Sequence, residues 1–413
     1  MGKLTKPNGG RFSMKFVVIL GGLLVLFIIW LVLDFSLGRK KHLLIANKVE
    51  TGILHSEFEI FTHGKDFFRS YFSEIQKAQK HLHILYYIIK NDSLGQEFFT
   101  ILKKKAQEGV EVRLLIDRLG SLTIKKKEVK DLKTAGIKVA FSNRVKLPFL
   151  FYSAQVRNHR KISIIDGKIG FMGGFNIGKE YIDEDPKFSP WRDYQLKLTG
   201  EGVHFLQSAF LQDWNEYASE KVHHDPRLFP PLSKGSIRHQ LNPTEAGLLE
   251  GIFIDLIKKA DQSIIIGTPY FIPSSPIFKE LLAARRRGVQ ITLIVPYTSD
   301  HILVQEASYR FLRRLLKAGA QVYQYQNGFY HAKTILIDDK ICDIGTANFD
   351  RRSLFLNKEI NCYIYDPAFI KRLKSVIDRD ILDSKKLSLT VLNKPNLWRS
   401  VKETIAGAVC YFL

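Results

Sequence analysis

His159-Arg160-Lys161, followed by Asp166 and Gly173, recurs as His331-Ala332-Lys333 with Asp338 and Gly345, so the pattern H-x-K-x4-D-x6-G stands twice in one chain. A single H-x-K-x4-D is expected by chance in roughly one sequence in twenty of this length and composition, whereas two copies with the glycine in register fall to about one in a hundred thousand. The chain is therefore read as a duplication in which two half-sites build one composite active site. Flanking landmarks agree. Residues 83–89 (HILYYII) lead to a helix-like stretch ending near Gly109 and the strand-like 110–116 (VEVRLLI); residues 263–266 (SIII) and 268–273 (TPYFIP) lead to a helix ending near Gly288 and 289–295 (VQITLIV). Each half then gives a helix, an Ala-Gly pair (Ala135-Gly136, Ala318-Gly319), a strand and the H-x-K element. Strands alternating with helices predict an α/β fold of two tandem domains, with mixed, mostly parallel sheets flanked by helices.

With 413 residues, 45% hydrophobic and 25% charged, the chain has ample material for two cores and is not a disordered protein. Lys and Arg outnumber Asp and Glu by 62 to 41, a net charge of +21 that attracts polyanions: nucleic acid, an anionic bilayer or phosphate-bearing substrates. The uncharged run 16–33 (FVVILGGLLVLFIIWLVL) favours the bilayer, because at about 1.5 Å per residue it is long enough to cross one. No small-x-small cleavage site follows it, so it is read as an uncleaved anchor. Lys3, Lys6, Arg11 and Lys15 precede it and Arg39, Lys40, Lys41 and Lys48 follow it, so charge gives no orientation. Cys342, Cys362 and Cys410 match neither metal-ligand spacing nor a disulfide framework, which favours a reducing compartment.

These features divide the chain into a membrane anchor (1–41, span 16–33), a first domain (42–217), a Pro- and His-rich linker (218–243), a second domain (244–395) and an amphipathic tail (396–413). In the tail Trp398, Val401, Ile405 and Phe412 are roughly helix-spaced beside Arg399 and Lys402, which suits either an interfacial helix or packing on the catalytic domain. The halves differ in one place. Gly136 to His159 spans 23 positions and Gly319 to His331 only 12, and the excess holds an apolar tip with basic flanks, 143–152 (NRVKLPFLFY). Leu147, Phe149 and Phe151 are read there as lipid-docking residues; the alternative is a loop packed on the core.

Along an extended strand residues two apart share a face, so His159 projects with Lys161 and His331 with Lys333, while Arg160 and Ala332 point away. Asp166-Gly167 and Asp338-Asp339 suit hairpin turns, which favours a structural role for both aspartates over direct chemistry, although both belong to the motif counted as catalytic. Gly173 and Gly345 would let a backbone approach phosphate, and Asn176 and Asn348, each seventeen residues after a motif histidine, would hydrogen-bond its oxygens. Asp193, after Trp191-Arg192, and Glu359, after Asn357-Lys358, each offer a carboxylate to hold a catalytic imidazole by its second nitrogen.

On Asn158-His159-Arg160-Lys161, Gly173-Gly174-Phe175-Asn176-Ile177, Trp191-Arg192-Asp193, Thr268-Pro269-Tyr270-Phe271-Ile272-Pro273, Gly328-Phe329-Tyr330-His331-Ala332-Lys333 and 345–353 (GTANFDRRS), the chain resembles the phospholipase D superfamily. Within it the likeness is to bacterial cardiolipin synthases and covers nearly everything after the anchor. One apparent span, where many synthases have two, resembles their shorter variants. The resemblance implies two phospholipase D-like domains and reversible phosphatidyl transfer between two phosphatidylglycerol molecules. Neutral His159 would attack phosphorus and protonated His331 would donate to the departing glycerol. Lys161, Lys333, Asn176 and Asn348 would steady the equatorial oxygens, with no metal or other cofactor. The first-half nucleophile follows the family's tendency; the residues alone leave the choice open. The resemblance further implies a cell-membrane protein of one span, its catalytic domain cytoplasmic, with a phospholipid substrate and no nucleic-acid partner. Two readings stand beside it. One is a lipid hydrolase or another phosphatidyltransferase. The other is a membrane-anchored nuclease, against which stand the span and the lack of an evident base-stacking platform.

Overall fold

A computed structural model describes residues 14–46, 52–223, 225–301 and 303–412; Lys3, Lys6, Arg11 and Lys48 of the anchor's flanks lie outside them. The anchor is α1 (Met14–Ile45), 32 residues or about 48 Å of helix. Its apolar stretch is exposed, and the helix is long and apolar enough to cross a membrane. It does not stop at residue 41 as expected, because its last three turns are packed. Asp34 is buried and accepts the Tyr152 amide at 2.8 Å, while His42 Nδ1 lies 2.8 Å from the Tyr152 hydroxyl. A Cβ on Gly38 would stand 2.7 Å from the Tyr152 ring, so glycine is what lets the helix lie against this segment.

The first lobe runs β1 (Leu54–His63), α2 (Gly64–Lys77), β2 (His81–Tyr86), α3 (Ser93–Gln107), β3 (Glu111–Asp117), α4 (Lys126–Thr134), β4 (Lys138–Ser142), α5 (Leu150–Gln155), β5 (Ile162–Ile165), β6 (Ile169–Gly173), β7 (Trp191–Gly200) and α6 (Glu201–Tyr217). The second repeats it: β8 (Ile237–Thr244), α7 (Leu248–Lys258), β9 (Ser263–Gly267), α8 (Ser275–Arg286), β10 (Gln290–Pro296), α9 (Val304–Lys317), β11 (Gln321–Tyr325), β12 (Phe329–Tyr330), β13 (Thr334–Ile337), β14 (Ile341–Gly345), α10 (Arg351–Phe355) and β15 (Glu359–Ile364). α11 (Pro367–Leu382), β16 (Ser384–Lys386), α12 (Leu389–Leu392) and α13 (Leu397–Val409) follow. Local chemistry sets these boundaries. Asp92, Ser274 and Asp366 accept N-terminal amides of α3, α8 and α11, and Gly109 and Gly288 follow α3 and α8 at φ 88° and 95°.

The strands join in one sheet ordered β16-β11-β10-β9-β13-β14-β15-β8-β1-β7-β6-β5-β2-β3-β4. Outward from the β8–β1 junction the two lobes present the same sequence of elements, so a pseudo-twofold passes between those strands. Helices cover both lobes, and the α/β duplication holds. Mostly parallel sheets do not: among the described residues ten of the fifteen strand pairings are antiparallel. Parallel pairing is confined to β2-β3-β4, β9-β10-β11 and the short β12–β7 contact, because the hairpins at Asp166-Gly167 and Asp338-Asp339 reverse the chain at the centre of each lobe.

The expected linker is corrected too, since β8 begins at Ile237 and joins β15 to β1 at the molecule's centre. Its polar look is deceptive. His239 is fully buried, edge-on to Phe58 at 4.8 Å, and burial pushes its pKa down to about 4, so it packs as a neutral ring. Pro243 lies beyond the three residues that pair with β1, where its missing N–H interrupts no ladder on that side.

The motif aspartates sit at the far end of their strands, with φ of 53° and 51°. Asp166 accepts the amides of Gln79, Lys80 and His81 at 2.8, 2.7 and 2.9 Å. Asp338 does the same with Asp261, Gln262 and Ser263 at 2.8, 2.8 and 2.7 Å. Burial would raise the Asp338 carboxyl, but these amides hold it below the usual carboxylate range. Seven residues of extended chain, about 20 Å, separate each from its histidine. Counting Asp166 and Asp338 as catalytic is therefore corrected: each carboxylate ties its hairpin to the start of the neighbouring strand, β2 or β9.

Candidate active site

The two H-x-K segments are extended but precede the ladder, which starts at Ile162 and Thr334 rather than including the histidines. Each is instead pinned to the other lobe. The His159 amide donates to the Lys358 carbonyl at 2.9 Å and the His331 amide to the Arg192 carbonyl at 2.7 Å. Lys358 and Arg192 immediately precede Glu359 and Asp193, so each pinned backbone delivers the opposite lobe's carboxylate to the imidazole. His159 Nδ1 donates to Glu359 Oε2 at 2.9 Å, and His331 Nδ1 donates to Asp193 Oδ2 at 2.6 Å. A carboxylate only accepts, so Nδ1 carries the proton and Nε2 is left for chemistry.

All four groups are buried, and both carboxylates are anchored. Thr346 Oγ1 donates to Glu359 at 2.6 Å and Asn357 Nδ2 at 3.2 Å; the Tyr194 amide donates to Asp193 at 2.8 Å. Lys333 donates to Asp193 at 3.3 Å and Lys161 to the His159 carbonyl at 2.7 Å. Burial would raise both carboxyls, yet Lys333 and His331 hold Asp193, and His159 and Lys161 hold Glu359, below the usual range. Burial lowers His159 against the pull of Glu359, and burial with the Lys333 charge pushes His331 down to about 4. Lys161 is pushed down to about 7, chiefly by burial and the Lys333 charge. Both shifts on the histidines favour the neutral ring.

The second-position residues turn away from the histidines, as alternation requires. Arg160 Nη1 meets Asp213 of α6 at 2.8 Å, where Lys358 also binds at 3.2 Å, and Arg192 meets Asp380 of α11 at 2.7 Å. Losing one partner of such a buried pair costs about 3–5 kcal/mol, so these ion pairs fix the seams that carry the carboxylates.

Other expected residues are placed differently. Gly173 and Gly345 end β6 and β14, and a Cβ on either would strike the adjoining strand at 2.5 and 2.6 Å; they serve strand contact, which corrects their assignment to phosphate. Asn176 uses its oxygen on the Ile88 amide at 3.1 Å and its nitrogen on the Tyr181 hydroxyl at 3.1 Å, whereas Asn348 keeps a buried oxygen without a hydrogen-bond partner. In the extra segment, Leu147 is 76% exposed, but Phe149 and Phe151 are half-buried. Phe151 lies 6.1 Å from Phe35 of α1 and 5.7 Å from Phe412, and Phe149 packs on the Tyr152, Val156 and Leu356 cluster, so lipid docking by the two phenylalanines is corrected to packing. Of the two alternatives for the tail, the structure shows packing: Glu403 pairs with Arg313 of α9 at 2.6 Å, while Leu397 and Trp398 are exposed.

Sequence reasoning missed Tyr87, edge-on to His159 at 4.8 Å, and Tyr270, 6.3 Å from His331. The repeat contained the signal: Tyr87 precedes His159 by 72 positions and Tyr270 precedes His331 by 61, offsets that differ by the first half's 11-residue excess.

Residues 71–186 and 253–381, one stretch in each lobe, match the family described as cardiolipin synthase, PLD-like domain. The chain belongs to the cardiolipin synthase family. Among relatives, the minor cardiolipin synthase of Bacillus subtilis (strain 168) is 39% identical over 97% of this chain and 100% of its own length. The major cardiolipin synthase of the same organism is 40% identical over 88% of this chain and 77% of its own. A phosphatidylserine synthase from Haemophilus influenzae Rd KW20 has the same fold, with a TM-score of 0.70 at 16% identity over 87% of this chain and 97% of its own. Membership of the cardiolipin synthase family makes this an enzyme of phosphatidyl transfer, and the apolar helix α1 accords with its association with membranes.

Proposed function

We propose that the chain converts two phosphatidylglycerol molecules into cardiolipin and glycerol, carrying the phosphatidyl group on His159. The observation behind this reading is the crossed pair of buried imidazole–carboxylate contacts, His159 with Glu359 and His331 with Asp193. His159 Nε2 attacks phosphorus and the bond to the glycerol oxygen breaks, that oxygen taking a proton from His331 Nε2. The terminal hydroxyl of a second phosphatidylglycerol then gives its proton back to His331, attacks phosphorus and breaks the P–N bond. Cardiolipin leaves and His159 is regenerated. The proton on His331 arrives with substrate. An entering phosphodiester adds negative charge beside His331 and raises the imidazole's affinity for a proton.

Lys161 and Lys333 would face the equatorial oxygens of the five-coordinate transition state, with the amides of Asn176 and Asn348 at its edge. Leu147 would touch lipid, and the catalytic lobes would face the cytoplasm. The test is to incubate the purified full-length protein with labelled phosphatidylglycerol in mixed micelles containing a chelator. Cardiolipin and glycerol are expected in equal amounts; phosphatidic acid as the sole lipid product overturns the reading.

Gly174 gives a sharper check. A Cβ there would stand 1.9 Å from Asp193 Oδ1, whereas the equivalent Thr346 fits beneath the longer Glu359. Gly174→Ala is expected to displace Asp193 and slow cardiolipin formation by about a hundredfold, as loss of an orienting partner does. Steady-state rates beside a thermal melt check this, and an unchanged rate would show that Asp193 does not orient His331.

A further inference from the structure

At the foot of α1 a groove of 480 Å³ opens between the helix and the chain's last residues, lined by Phe35, Arg39, Lys40, Leu43, Tyr411 and Phe412. It is distinct from the cleft holding the two histidines. Its walls are apolar and its cations are unmatched: among the described residues, no carboxylate pairs with Arg39 or Lys40 and neither side chain is hydrogen-bonded. Arg39 is held in place by its stem and by ring stacking, 5.2 Å from the centre of Phe355 and 5.9 Å from that of Tyr411, and its Nε is a buried donor without an acceptor. Lys40 is exposed.

Position says what such a groove meets. The apolar run ends at residue 33, so Arg39 lies about 9 Å further along the helix. The headgroup layer on each side of a bilayer is about 5–8 Å thick, so both cations stand at its outer edge, where their long side chains reach back to lipid phosphates while Phe35 and Leu43 flank them. An aromatic-walled groove with two cations at that depth matches a phosphodiester whose acyl chains run back along α1. Polybasic segments beside a span attract anionic lipid for the same electrostatic reason.

We propose that this groove is a binding site for an anionic phospholipid, its phosphodiester held by Arg39 and Lys40 and its glycerol and upper chains against Phe35, Leu43, Tyr411 and Phe412. Phe35 lies edge-on to Tyr152 of α5 at 5.4 Å, and α5 ends four residues before His159, so the bound lipid would sit at the rim of the catalytic cleft. The site stands independently of the transfer chemistry.

The test uses full-length His159→Ala protein in phosphatidylcholine nanodiscs, so no lipid turns over, with photoactivatable phosphatidylglycerol as probe and peptide mapping as readout. Label is expected on peptides containing Leu43 or Phe412. Lys40→Gln, which removes an exposed side chain without partners, is expected to weaken that labelling about fivefold, equivalent to about 1 kcal/mol, with the melting temperature unchanged. Arg39→Gln with Lys40→Gln should weaken it about twenty-five-fold, and Arg39→Lys should largely preserve it. Label confined to cleft peptides, equal labelling by a phosphatidylcholine probe, or unchanged labelling of Lys40→Gln overturns the proposal. Full competition by millimolar inorganic phosphate also overturns it, because the site would then recognise a free anion rather than a lipid.

Discussion

His159→Ala is expected to lower cardiolipin formation by at least about ten-thousandfold and to leave no phosphatidyl label on the protein, since His159 is the proposed carrier of the phosphatidyl group. His331→Ala should lose as much with phosphatidylglycerol but for another reason: glycerol cannot leave without a proton. Supplying a phosphatidyl ester of p-nitrophenol, whose anion leaves unaided, separates the two. The His331→Ala protein should release one equivalent of p-nitrophenol in a burst and retain the phosphatidyl group, because no base remains to activate the incoming alcohol. The His159→Ala protein should show no burst. The opposite pattern would exchange the roles of the two imidazoles and leave the rest of the site intact.

The crossed carboxylates make the second large expectation. Glu359→Gln removes the charge that offsets the burial of His159, so the imidazole's pKa falls further. His159 attacks only when neutral, hence the acid limb of kcat/KM against pH should move to lower pH. The plateau should fall about a hundred- to ten-thousandfold as the ring loses its orienting partner. Asp193→Asn acts on the other limb. His331, which burial and the Lys333 charge push down to about 4, would hold its proton less well once substrate binds, so the alkaline limb should also move to lower pH. Limbs that stay in place in both variants would reduce Glu359 and Asp193 to structural residues. Thr346→Val serves as a control, since it removes only one hydrogen bond to Glu359 and should shift the acid limb less.

The duplication, the hairpins and the identity of the two carboxylates were legible in the sequence because they follow from spacing along the chain. Their pairing was not. Asp193 follows His159 in sequence yet serves His331, and Glu359 follows His331 yet serves His159, since backbone contacts between His159 and Lys358 and between His331 and Arg192 form only once the lobes meet. Strand β8 was hidden for a physical reason: Ile237–Thr244 contains Arg238, His239, Gln240, Asn242 and Pro243, and only burial makes His239 behave as an apolar ring. Gly173 and Gly345 looked like phosphate cradles because a small residue signals close approach without saying to what. Here the approaching atoms belong to the neighbouring strands.

The unbroken sheet through β15, β8, β1 and β7 limits how this enzyme can move. Glu359 opens β15 and Asp193 lies near the start of β7, and between them the two lobes are laced by continuous amide-to-carbonyl ladders instead of a flexible joint. A clamshell motion would have to break those ladders, so the sheet itself resists any widening of the span between the two imidazoles, like the frame of a vice. Lipid exchange is then left to the rim, where α5, the anchor and the carboxyl-terminal residues meet outside those ladders.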